Sequence, residues 1–360
     1  MGWPRWLTPF IPIAIVLDLV KAPGTLVFVT SALGTIPTAA AMSRATQELA
    51  ARSGPGIGGL LNVSFGNAPE LIIALVALGK GLDEVVKATL VGSILGNVLL
   101  VTGAAILVGG WGRDKMTFNR TAASAQSLLL LIGVAALALP AILAISDGVA
   151  LPRPGDDFVR FSGGVQRVSV ALAGVLIAVY ACALIFSLYT HRDLFNEGDD
   201  IEGEGAEPWS VRRSVVWLAV SGVAVAIMSE ILVGSISHFA EAAGLSEFFI
   251  GAIVVAIVGN VAEHYVAVVV ARRGHLDLSL NISIGSSVQI AMFVAPVLIL
   301  CSLFVGPHPM AFVLNALELA AVVLSALVAN QVTQDGETRW IVGLALLGLY
   351  AVIAFAFAFA

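Results

Sequence analysis

The pattern Gly-Asn-x-x-Glu occurs twice, as Gly66-Asn67-Ala68-Pro69-Glu70 and as Gly259-Asn260-Val261-Ala262-Glu263. Each copy lies inside an apolar run of membrane-spanning length. From the chain's own Gly, Asn and Glu frequencies roughly 0.03 copies are expected by chance, so the pair is not an accident of composition. An ionised carboxylate at the bilayer centre costs about 2.5–3.5 kcal/mol on insertion scales, which makes an intramembrane glutamate a functional residue by default. The chemistry on offer is the binding of a hard cation. Asn67 and Glu70 are i, i+3 neighbours on a helix, and so are Asn260 and Glu263. Gly66 and Gly259 favour a helix break one turn before each carboxylate. Pro69 adds to this, because it cannot donate to the carbonyl of Phe65. Freed carbonyls at 65–67 and 258–260, two carboxylates and two amides make an oxygen set of the kind Ca²⁺ takes, about six to eight ligands in flexible geometry. No His/Cys cluster favours a softer metal. The cation is read as cargo, and no cofactor is expected.

The same pair accounts for proton coupling. Two carboxylates close together in low dielectric cannot both ionise cheaply, and they titrate as a unit. A divalent cation supplies the missing positive charge. Cation and protons then compete for the same oxygens, which is exchange.

Further polar residues accompany the motifs. Ser93 and Asn97 follow Gly92, and Ser286 and Gln289 follow Gly285. They either orient the site glutamates or make plain interhelical bonds, while Gly92 and Gly96 form a GxxxG packing contact. Glu230 and Glu318 interrupt apolar runs and are read either as gating or access groups or as interhelical pairs. Glu48 and Glu241 are further candidates for gating or access. His264 lies ~100° around the helix from Glu263, as a neighbour rather than a ligand.

The elements that must position these groups follow from composition. The 360 residues are 59% apolar and 12% charged, with a mean hydropathy of +0.98. Soluble domains carry about 25% charged residues, so this is an all-α integral membrane protein. Apolar runs predict about eleven spans, near 6–20, 25–43, 56–78, 85–109, 122–146, 167–189, 211–237, 248–271, 280–305, 310–330 and 339–359. The last ten can cross ~30 Å of hydrocarbon as helices. The first is short and carries Asp18; a signal peptide is its competing reading, but no A-x-A site follows. Cys182 and Cys301 lie in separate apolar runs and read as small hydrophobes. No basic cluster exists to neutralise nucleic-acid phosphates. With the N-terminus inside, cytoplasmic segments hold twelve Lys and Arg and external segments six. That bias predicts N-terminus in and C-terminus out.

An offset of 193 residues superposes the two motifs and their downstream segments: Gly66/Gly259, Asn67/Asn260, Glu70/Glu263, Gly92/Gly285 and Ser93/Ser286, with Glu48 landing on Glu241 upstream. The chain therefore divides into a short N-terminal transmembrane helix (1–24), a five-helix repeat (25–190), a linker (191–210) and a second five-helix repeat (211–360). An odd number of spans inverts the second repeat, a plan that places substrate near the midplane between repeats. The linker holds Asp193, Glu197, Asp199, Asp200, Glu202, Glu204 and Glu207. It is either a solvated cytoplasmic connector or a cation-collecting segment.

At Ala45-Thr46-Gln47-Glu48-Leu49, Gly58 to Ala77, Gly92 to Val101, Gly259 to His264 and Gly285 to Pro296, the chain closely resembles the calcium/proton antiporter (CAX-type) family of the cation/calcium exchanger superfamily. The resemblance spans nearly the whole chain. It implies an eleven-helix inverted-repeat transporter in which Glu70 and Glu263 bind Ca²⁺ and carry protons, with an acidic cytosolic segment between the halves. Pro69 departs from the Thr or Val frequent there and matches the sodium/calcium exchanger motif instead. Gln47 replaces an acid often found beside Glu48. The expected function is Ca²⁺/H⁺ exchange in a bacterial inner membrane; a sodium/calcium exchanger or another cation/proton antiporter is the alternative. A channel fits poorly with a single paired-carboxylate site. A membrane-embedded enzyme is disfavoured, since no HExxH or GxSxG pattern occurs. The oligomeric state is not legible.

Overall fold

In hydrocarbon every backbone polar group must be satisfied within the chain, so uninterrupted apolar runs become helices. The computed structural model describes residues 5–53, 58, 61–62, 65–156, 159, 161–190 and 209–360. Its helices are α1 (Phe10–Leu19), α2 (Gly24–Arg52), α3 (Ala68–Gly79), α4 (Asp83–Gly110), α5 (Arg120–Ser146), α6 (Gly163–Leu188), α7 (Val211–Gly234), α8 (Ile236–Ala243), α9 (Glu247–Arg272), α10 (Leu276–Cys301), α11 (Ala316–Val332) and α12 (Trp340–Ala358). Eight of these are long and apolar enough to cross a membrane, and α3 and α11 are shorter apolar helices. The acidic cluster of the linker, Asp193 to Glu207, lies outside the described residues.

Two elements differ from expectation. Helix α1 has 10 residues, a rise of about 15 Å, which is half the ~30 Å hydrocarbon thickness. It packs instead on α2 and α7 through Ala14, Val27, Met228 and Ile231. The run predicted as a helix from 310 begins its helix only at Ala316, where Asn315 and Glu318 form a reciprocal capping box. Residues 310–315 are irregular and buried, so their backbone needs partners. Ser302 Oγ accepts from Met310 N at 3.0 Å, Ser169 Oγ accepts from Phe312 N at 3.2 Å, and Lys87 Nζ donates to Val313 O at 3.0 Å.

Contacts between loops sort the helix ends into two groups. At one end Lys80 pairs with Glu230 at 2.6 Å, Asp83 faces His308 at 3.6 Å, and Gly155 N donates to Glu84 at 2.6 Å. At the other, a two-stranded antiparallel ribbon joins β1 (Met116–Thr117) to β2 (Glu337–Thr338). Beside it Lys115 meets Glu337 at 2.6 Å, and that hydrogen bond and charge hold the Glu337 carboxyl below the usual carboxylate range. Helix α4 thus starts beside the loop that follows α10, and these two offset-matched helices run antiparallel. Glycines set the closest crossings. A Cβ on Gly92 would lie 1.8 Å from the carbonyl oxygen of Ala252, and one on Gly343 would lie 2.5 Å from that of Gly103. Helices α4 and α9, and α4 and α12, therefore touch backbone to backbone. Outward faces carry large apolar side chains such as Ile142, Val175 and Val352.

Candidate cation site

Helix α3 starts where the first motif begins. Gly66 and Asn67 form a turn, Asn67 is the residue before the helix, and Pro69 and Glu70 occupy its first turn. Proline is tolerated there because its missing N–H would be unpaired anyway, and the positive end of the helix favours the Glu70 carboxylate. The second motif behaves differently. Helix α9 runs unbroken through Gly259, Asn260 and Glu263, and the nearest irregularity is a π-helical turn at Ile250–Val255. The expected break at Gly259 is thus corrected. Ala262 stands where Pro69 stands in the first copy and keeps its N–H, while a lone glycine costs a helix only ~1 kcal/mol. Gly259 instead stands beside the first motif: a Cβ there would make ordinary van der Waals contact with Ile73 Cδ1 at 3.5 Å and Glu70 Oε1 at 3.8 Å.

The motifs are tied across the molecule by crossed hydrogen bonds. Ser286 Oγ donates to Asn67 Oδ1 at 2.7 Å, and Asn67 Nδ2 donates to Gln289 Oε1 at 2.6 Å. Asn260 Nδ2 donates to Ser93 Oγ at 3.1 Å and to the Ala256 carbonyl at 2.9 Å. Asn67 and Asn260 are 193 residues apart, and so are Ser93 and Ser286. Each motif asparagine therefore binds the serine that follows the other motif. Glu70 and Glu263 interact electrostatically, and Ser286 is also in hydrogen-bonding reach of Glu263. Glu70, Asn67 and Asn260 are buried, whereas Glu263 and Gln289 are partly exposed. Glu70 Oε2 and Asn260 Oδ1 are buried oxygens with no hydrogen-bond partner among the described residues. Buried acceptors without donors are rare in native folds and call for an explanation.

The remaining residues singled out in the sequence fall into place around this centre. Asn97 Oδ1 is 3.1 Å from His264 Nε2, so His264 is a neighbour of the site. Phe65 and Gly66 stand at the turn, partly exposed, and a Cβ on Gly66 would lie 3.5 Å from Gln289 Oε1. Glu48 pairs with Arg44 at 3.6 Å and accepts from Trp209 N at 2.9 Å. Glu241 is exposed near the end of α8. Glu230 pairs with Lys80 near the end of α7, its side chain 61% exposed. Glu318 is buried, and one of its oxygens caps its own helix by accepting from Asn315 N at 2.8 Å. Sequence reasoning missed Lys87, which is buried inside α4 near Asp83, Glu84 and Glu318. The signal was present in Asp83 and Glu84, four and three residues before it.

A predominantly helical membrane protein with a carboxylate-and-amide cluster assembled from two matching segments is the class this structure defines. The chain belongs to the sodium/calcium exchanger protein family, whose profile matches residues 23–189 and residues 213–359. It is 41% identical to a Ca(2+)/H(+) antiporter of Synechocystis over 98% of this chain and 96% of that protein. It is 38% identical to the Ca(2+)/H(+) antiporter ChaA of Bacillus subtilis, over 96% of each. Among solved structures, native YfkE superposes with a TM-score of 0.83 at 34% identity, covering 100% of both chains. The expected likeness to the calcium/proton antiporters is borne out. The sodium-calcium exchanger NCX_Mj shares the fold, with a TM-score of 0.55 at 20% identity over 91% of this chain and 96% of that one.

Proposed function

We propose that this protein is a secondary active transporter that exchanges Ca²⁺ for H⁺ by alternating access, with Glu70 and Glu263 shared between cation and protons. One observation carries the reading: Glu70 Oε2 and Asn260 Oδ1, one oxygen from each motif, are buried without a donor among the described residues. Oxygen acceptors left open in a low-dielectric interior are what a hard cation requires. When the cation leaves, the two carboxylates take up protons in its place, because like charges so near each other are costly. A protonated Glu263 can donate to Ser286, which then donates to Asn67, which donates to Gln289. Every link in that chain has one donor and one acceptor.

The crossed Asn–Ser bonds and the antiparallel run of α4 and α10 support two inverted five-helix repeats, and the family's two matched ranges support their boundaries. In this reading the short α1 and ten further helices make up the membrane domain, with the C-terminus external. Membrane vesicles turned inside out test the function. Ca²⁺ uptake is expected under an imposed pH gradient and is lost in Glu70→Gln and in Glu263→Gln. Uptake driven by a sodium gradient alone would sink the proton-antiport reading. Uptake that survives in both variants would sink the site.

A further inference from the structure

A second polar feature lies on α10 between the site and the end of the bundle that carries the β-ribbon. Asp277 and Asn281 are exposed and Gly285 and Gln289 partly exposed, at intervals of four, while Ser279, Ser283 and Ser287 on the other face are buried. Twelve residues separate Asp277 from Gln289, about 18 Å along a helix. Beside this edge Gln126 Nε2 on α5 donates to Asn281 Oδ1 at 2.7 Å. The space in front of Gly285 is bounded by these two amides. A Cβ there would meet Asn281 Oδ1 at 3.3 Å, Gln126 Nε2 at 3.7 Å and Gln126 Oε1 at 3.8 Å.

We infer that Gln126, Asn281 and the open face of Gly285 form a station at which the cation exchanges water for amide oxygens on its way to Glu263. The inference rests on the transport reading above. Primary amides turned toward hydrocarbon would leave polar groups unsatisfied at a cost of several kcal/mol each, so this edge faces water. Asn281 Oδ1 keeps a second lone pair after accepting from Gln126, and Gln126 Oε1 points toward the same space, so two neutral oxygens are available. Amide oxygens are ordinary Ca²⁺ ligands. Neutral ones hold a cation loosely enough to release it to the carboxylates beyond. Gly285 is required because any side chain would fill the gap the cation must use.

The test uses the full-length protein in inside-out vesicles, with Cys182 and Cys301 replaced by alanine. Asn281→Cys and Gln126→Cys are treated with a cationic, membrane-impermeant thiosulfonate, with Leu128→Cys on the outward face of α5 as the comparison. A thiol in an apolar environment stays protonated and inert, so positions 281 and 126 are expected to react about tenfold faster than 128. Added Ca²⁺ should slow them. Asn281→Leu is expected to raise the KM for Ca²⁺ about fivefold while leaving kcat unchanged. Equal labelling at all three positions, or an unchanged KM, overturns the inference while leaving the transport reading intact. Absence of proton-driven uptake by the unsubstituted protein overturns the transport reading and the cation role of this station with it, whatever the labelling shows.

Discussion

Gly92→Ala perturbs the point where the two halves of the site meet. The new Cβ would lie 1.8 Å from the Ala252 carbonyl oxygen, 2.5 Å from its carbon and 2.8 Å from its Cα. Carbon and oxygen in favourable contact stand about 3.3 Å apart, so α4 and α9 must separate by about 1.5 Å. The obstacle is backbone, and no side chain can turn aside. Residue 93 is the next in line, and its hydroxyl holds Asn260 at 3.1 Å. A shift of that size breaks the bond and moves Asn260 Oδ1 relative to Glu70. Overpacking costs about 1–3 kcal/mol, and a misplacement near 1 Å costs about a hundredfold in rate. The variant is therefore expected to insert and purify as a folded protein with a lowered Tm, and to lose about two orders of magnitude of proton-driven Ca²⁺ uptake. Gly348→Ala is the matched comparison, since nothing lies within 4 Å of a Cβ there. It should keep full uptake and raise helix stability by up to ~1 kcal/mol. Normal uptake and Tm in Gly92→Ala would refute the claim that backbone contact at this crossing sets the site.

Two further outcomes rest on the same geometry. Asn67→Ala removes the bonds to Ser286 and Gln289, leaving polar groups short of partners at about 1–3 kcal/mol. The KM for Ca²⁺ should rise about tenfold with the protein still monodisperse, and an unaltered KM would remove Asn67 from the site. Lys80→Ala should shift the Tm only slightly and leave uptake intact, because an ion pair with side chains 34% and 61% exposed contributes about 0–1 kcal/mol. Lost transport there would show Glu230 to be a working part rather than a surface partner.

Much of this protein is written at the level of local residue types. Apolar runs specify membrane helices whatever their neighbours, because an unpaired backbone is intolerable in lipid. A carboxylate within such a run marks a candidate site for the same reason, so Glu70 and Glu263 stand out as candidates in one sequence. So was the 193-residue offset, since matched Gly, Asn, Glu and Ser positions need no structure to compare. Local reading failed where one sequence has two structural outcomes. Gly259 looked like Gly66, but with Ala262 in place of proline the helix continues. The run from 310 looked like a helix until Ser302, Ser169 and Lys87, all distant in sequence, supplied its irregular backbone with partners. Glu230 and Glu318 looked alike as acids in apolar runs. One lies near a helix end beside Lys80 and the other caps its own helix.

The sequence by itself determined that the protein is membrane-embedded, that its halves match, and which two carboxylates the matched motifs carry. These depend on burial cost and periodicity, which are properties of each segment alone. Only the tertiary structure decided that Asn67 reaches Ser286 while Asn260 reaches Ser93, and that Gln126 and Asn281 stand together beside Gly285. Those are relations between helices some 150 to 220 residues apart, set by how closely glycines let the backbones approach. No local preference encodes that distance.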